Sequence, residues 1–175
     1  MASLFLVVLG GRTSKSNIEL HDVRFVAGDT IEATYPELKR QWFGARSGLH
    51  IDAYMAVKFV DGYAVTLSSE APKNLDQQLW FVNMGAYSSE SLSELHHFGV
   101  VVAPSAQAAK ASAKRYLLPG ALQQHKDDLC SIDNCLVLQQ FEVGSDGTSL
   151  RVQLNPDPQG RNQAQVPDWF GYRLI

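Results

Sequence analysis

The strongest constraint on this chain is that its first half is written again in its second half. Leu4-Phe5-Leu6-Val7-Val8-Leu9-Gly10 aligns without a gap on Leu79-Trp80-Phe81-Val82-Asn83-Met84-Gly85, a shift of 75 residues, and Glu19-Leu20-His21 then falls on Glu94-Leu95-His96. The same register keeps Ser14 on Ser89, Ser16 on Ser91, Lys39 on Lys114 and Arg40 on Arg115. A chain of 175 residues built this way is expected to fold as two similar small units. Each alone buries only a modest core. The units are therefore expected to pack against one another pseudo-symmetrically, the covalent link removing the association entropy that a homodimer loses.

Each unit reads as strand, strand, helix, strand, strand. The apolar runs just quoted form the first strand of each copy. Leu20 to Ala27 and Leu95 to Val102 form the second, with His21, Val23, Phe25 and Ala27 on one side matched by His96, Phe98, Val100 and Val102, because side chains alternate along a strand. A helix follows. Asp29-Thr30-Ile31-Glu32 has the form of an N-cap with its acidic partner, and Ile31, Tyr35, Leu38 and Trp42 recur at helical spacing. The second helix starts at Pro104-Ser105 and stops before Pro119-Gly120. A hairpin closes each unit. Ile51, Ala53, Met55, Val57 and Phe59 alternate with polar residues before an Asp61-Gly62 turn and a return strand from Tyr63 to Leu67. In the second unit Ile132-Asp133 replaces Ile51-Asp52 and Gly144 to Gly147 forms the hairpin tip.

The expected fold class is α+β, two tandem ββαββ repeats of β-grasp (ubiquitin-like roll) type with the helix covering one face of a mixed sheet. A ferredoxin-like arrangement is the alternative, although it requires strand-helix-strand order from the outset. The boundaries read as 1–68 and 79–154 for the repeats, with a polar linker containing Pro72 between them. Residues 155–175 have no counterpart after the first unit. Their ending, Trp169-Phe170-Gly171-Tyr172-Arg173-Leu174-Ile175, is too apolar to float in water and is expected to lie on the domain as a strap or edge strand, with a partner-binding segment as the other reading.

Composition narrows function by exclusion. With 45% hydrophobic and 19% charged residues the chain reads as globular, and a net charge of −3 with scattered Lys and Arg gives no footprint for nucleic acid. No apolar stretch is long enough for a transmembrane helix. The N-terminal apolar run lacks a basic flank and recurs mid-chain, so it reads as a buried strand and not as a secretory signal. Cys130 and Cys135 read as reduced thiols in or near a strand of a cytoplasmic protein, since two thiols without histidines complete no structural zinc site.

The candidate ligand-binding residues are Glu19, His21, Asp22 and Asp52 with their counterparts Glu94, His96, His97 and Asp133. A polar triplet kept between two diverged copies marks a shared constraint, which folding or function can supply. In the first case the histidines and glutamates satisfy backbone groups near a loop. In the second the two histidines face one another between the units, with Asp52 and Asp133 adding carboxylates, and bind a ligand, hold a divalent cation or exchange protons. His50 has Ser131 in its place in the second copy, so the repeat itself singles out only Asp52 at that strand entrance, where an aspartate commonly takes loop amides. Gly10-Gly11-Arg12-Thr13-Ser14-Lys15-Ser16 fails as a phosphate loop, because no glycine precedes the lysine and no helix follows. No residue is assigned a catalytic role, no cofactor is implied and no metal ligand set is specified.

Leu6 to Gly11, Asn17-Ile18-Glu19-Leu20-His21-Asp22-Val23, Tyr35-Pro36, His50-Ile51-Asp52-Ala53-Tyr54 and Val60-Asp61-Gly62-Tyr63 resemble the bacterial domain of unknown function 1543 family, which occurs in one or two copies per chain. The resemblance covers residues 4–154, and its most specific part is Glu19-Leu20-His21-Asp22. The second copy departs from it with His97 for Asp22 and Ser131 for His50. The resemblance implies a bacterial cytoplasmic protein and carries over no catalytic residue. The leading expectation is a binding module, for a small ligand between the units or for a protein at a sheet edge or the aromatic tail. An enzyme or metal-binding protein using the paired histidines is the alternative, and the residues leave a homo-oligomer open.

Overall fold

A computed structural model describes residues 1–73, 76–87, 89–117, 130–143 and 148–175, with the backbone alone at 116, 117 and 130–134. Its strands are β1 (Ser3–Gly11), β2 (Leu20–Gly28), β3 (His50–Ala56), β4 (Phe59–Val60), β5 (Tyr63–Ser68), β6 (Gln78–Ala86), β7 (Leu95–Ala103), β8 (Cys130–Leu138), β9 (Gln140–Val143), β10 (Thr148–Pro156) and β11 (Trp169–Leu174). Helix α1 spans Tyr35–Gln41 and α2 spans Ala106–Leu117, α1 being preceded by a 3-10 turn at Glu32–Thr34. The repeat is kept to the residue. Strands β1 and β2 become β6 and β7 at the same shift of 75, and β1 and β6 carry the same sequence of buried and half-buried positions.

The strands form three sheets, ordered β11-β3-β1-β2, β7-β6-β8 and β4-β5-β10-β9. Thus the α+β class and the tandem organisation are observed, whereas the mixed sheet of a β-grasp roll is not. Every described pairing is antiparallel. The ferredoxin-like alternative meets no helix between β1 and β2. The reason lies in the closing hairpins, which leave their own units. Asp61 and Gly62, both at positive φ, make the expected tight turn between β4 and β5, but β5 then pairs with β10 of the second unit. Each unit therefore keeps three of its own strands in one sheet, to which β11 is added in the first, and the two hairpins build a third sheet in common.

β1 and β6 read as unbroken apolar runs because both of their faces are covered. Phe5, Val7 and Leu9 turn towards Leu38 and Trp42 of the α1 region, and Trp80, Val82 and Met84 towards Ala109 and Ala113 of α2. On the opposite faces Leu4, Leu6 and Met55 meet Phe81, Val100 and Leu138 in an inter-unit core closed by Val65, Val152 and Leu154. Phe25 and Phe81 touch edge to face across it, with ring centroids 5.2 Å apart. The first helix is shorter than its periodicity predicts. The expected Asp29 cap does not form: Asp29 pairs with the N-terminal amine, the Ala33 amide donates to Thr30 Oγ1 instead, the turn that follows is 3-10, and Trp42 is already extended.

The segment after β10 runs as a strap back across the molecule. Gln165 donates to and accepts from the Val100 backbone at 2.8 Å each way, Gln163 does the same for the Ala56 carbonyl and Lys58 amide, and Asp168 accepts from the Ala56 amide at 2.7 Å. The strap ends in β11 on the outer edge of β3, where Tyr54 and Trp169 stack and Arg173 lies 4.1 Å over the Trp169 ring. Phe170, Tyr172 and Leu174 stay exposed on this edge.

Candidate functional site

Both units carry a β-bulge at the same place. Opposite β1 the register passes from Val8–Ala53 to Leu9–Ile51, and opposite β6 from Asn83–Asn134 to Met84–Ile132. The residues passed over are Asp52 and Asp133, the repeated aspartates. One extra residue turns the rest of a strand over. Ile51 accordingly packs on the α1 side while Met55 and Val57 enter the inter-unit core, so the alternation expected from Ile51 to Phe59 does not lie on one face. That strand also breaks at Val57, whose amide donates to the Leu4 carbonyl before the chain leaves for β4.

In the first unit the bulge assembles a polar group around Gly10, which pairs with His21 on one side and His50 on the other. His50 Nε2 lies 3.2 Å from Asp52 Oδ1 and 3.3 Å from Glu19 Oε1, and its Nδ1 donates to the Gly48 carbonyl at 2.8 Å. The His50 side chain is 1% exposed. The Gly48 carbonyl can only accept, so Nδ1 carries the proton of that bond and Nε2 is the nitrogen turned to the carboxylates. His21 Nε2 stands 3.2 Å from Asp52 Oδ2 with its side chain 54% exposed, yet that carboxylate oxygen is buried without a directed hydrogen bond. The two groups are thus in contact at hydrogen-bond distance without hydrogen-bond geometry. A Cβ on Gly10 would lie 2.4 Å from His50 Nε2, so only glycine admits the imidazole here. Tyr172 of β11 covers His50, ring centroids 4.0 Å apart, at the irregularity where Gly171 and Tyr172 stand opposite Asp52.

Of the predicted residues, Glu19, His21 and Asp52 therefore meet. Asp22 lies on the other face of β2, where it accepts from the Val23 amide and pairs with Arg24. In the second unit Glu94 sits 3.4 Å from His96, while the side chain of Asp133 is outside the described residues. His96 and His97 border a groove of about 300 Å³ whose other lining comes from Leu6, Val8, Ala53 and Met55 of the first unit and from the strap. His50 and Tyr172 are additions that comparing the copies does not find, since Ser131 replaces the first and the second lies outside the repeat. A signal for His50 is its place in the family pattern beside Asp52.

Among the described residues no group of three or more His, Cys, Asp or Glu side chains is arranged to hold a metal ion, and no described helix is long and apolar enough to cross a membrane. Cys135 Sγ donates to the Ala106 carbonyl at 3.8 Å, and burial raises its thiol above the usual range. The side chain of Cys130 is outside the described residues.

The model of the family described as Domain of Unknown Function (DUF1543) matches residues 16–67 and 91–143. The chain belongs to this family. Each matched segment opens in the loop before β2 or β7, so the match contains Glu19, His21, His50 and Asp52 but neither Gly10 nor Tyr172. Over its whole length the chain is similar to protein Il1583 from Idiomarina loihiensis, known from a crystal structure, at 38% identity and a TM-score of 0.73, covering 100% of this chain and 99% of that one. No curated protein matches.

Proposed function

We propose that this DUF1543 protein binds a small ligand in its first unit, with Glu19, His21 and Asp52 as polar contacts and His50 holding the aspartate in place. The observation that carries this reading is the Asp52 carboxylate, set at a bulge with one oxygen buried and without a directed hydrogen bond beside a half-exposed histidine. A buried acceptor left without a donor costs about 1–3 kcal/mol, and such sites persist where something else uses them. Bulges serve this purpose by re-aiming one side chain out of a ladder. The second unit lacks the His50 equivalent and binds more weakly or not at all. Thermal-shift screening of the full chain against a metabolite library tests the reading, because a ligand of the native state raises its melting temperature. A hit whose shift disappears in His21→Ala supports it. Hits indifferent to His21→Ala and Glu19→Gln, or no hits at all, overturn it.

The second reading is acid-base catalysis on that bound ligand, favoured by the His21–Asp52 contact. With Nε2 turned to the carboxylate, Nδ1 of the half-exposed ring is the nitrogen left to exchange a proton. A turnover assay on any ligand found separates the two, since His21→Gln then abolishes reaction more than binding.

A further inference from the structure

The polar group around Gly10 adjoins the groove between the units, and together they specify a ligand class. Val8 and Gly10 share a face of β1, one strand repeat or about 7 Å apart, and Ala53 follows Asp52 in β3. The floor of the groove, Leu6, Val8, Ala53 and Met55, is aliphatic, Phe98 stands opposite, and Val166 and Pro167 of the strap close one side. The two strands that supply this floor continue into Gly10 and Asp52, where the Asp52 carboxylate and, through His50, that of Glu19 are gathered. Among the described residues those carboxylates have only imidazole partners, and no Lys or Arg side chain reaches them. The cluster is rich in acceptors, whereas a carboxylate ligand would meet charge of its own sign.

The geometry points to a primary amine with an apolar body as the ligand, its ammonium donating to Asp52 and Glu19 and its hydrocarbon lying along Val8 and Ala53 towards Phe98. This rests on the small-ligand reading above. An ammonium offers three donors on a compact charge, and each methylene laid on the groove adds apolar burial, so affinity rises about three- to fourfold per methylene until the groove is full.

The test is titration of the isotope-labelled full chain with n-butylamine, n-hexylamine and n-octylamine, and with butyrate, hexanoate and octanoate, followed by backbone amide shifts. Expected are saturable shifts at Gly10, His21 and Ala53 with the amines, tightening with chain length, and none with the acids. Glu19→Gln is expected to weaken the amines tenfold or more with the remaining spectrum unchanged, and Ala53→Leu to abolish the dependence on chain length. Equal binding of acids and amines, or amine shifts outside the groove, overturns the proposal. Should a library metabolite bind at His21 while every amine fails, the amine class falls and the small-ligand reading stands.

Discussion

Adding one methyl at Gly10 is expected to destabilise the first unit by about 1–3 kcal/mol, the usual cost of forcing atoms into a filled site, because the new Cβ meets His50 Nε2 at 2.4 Å. His50→Ala removes the obstacle, so the double variant should lose less than the sum of the singles by about 0.5 kcal/mol or more. Urea unfolding of the four proteins measures this, and simple additivity would sink the explanation. A second effect of residue scale is titrimetric. Hydrogen bonds from the Arg161 side chain and amide to Asp157 hold that carboxyl at about 2, below its ordinary 3.8. A depressed carboxyl stabilises the fold above its unfolded value and loses that contribution as pH falls through the folded one. The acid limb of the stability curve should therefore steepen between about pH 4 and pH 2, and Asp157→Asn should flatten it in that window, as read from melting temperature against pH.

At the scale of elements the strap does for the edge of β3 what a neighbouring strand would do. Asp168 accepts from the Ala56 amide where the ladder ends, so Asp168→Ala should cost about 1.5–3 kcal/mol, the range for hydrogen bonds to charged groups, and Asp168→Asn less. An alanine variant as stable as the parent in urea would show that the amide finds another acceptor. The element pattern was legible where the period alone decides, as in the burial of β1, the face of β2 and the Asp61-Gly62 turn. It was misleading from Ile51 to Phe59, where one bulged residue reverses the faces and a break at Val57 sends the hairpin elsewhere. Local alternation records which positions are apolar, and a bulge is invisible until the partner strand is known.

For the whole molecule the shared sheet and the inter-unit core make separate folding of the halves unfavourable. Phe81→Ala, in the second unit, should cost about 3–5 kcal/mol and unfold both units together. Trp42 in the first unit and Trp80 in the second, each left as sole tryptophan in turn, should report coincident denaturation midpoints. Two separated transitions would mean that the units are independent.

The sequence by itself determined that there are two units, their element order, the residues buried in β1 and β6, and Glu19, His21 and Asp52 as candidates, because repetition and periodicity are properties of the chain read in order. Only the tertiary structure decided that the hairpins pair with each other, that Asp52 is the bulged residue, and that His50 and Tyr172 complete the group around Gly10. Those outcomes depend on which strand edges find partners across long sequence separations, and on the space left where a side chain is missing. A site in one copy alone is hidden from a reading that compares the copies, since such a comparison keeps what they share.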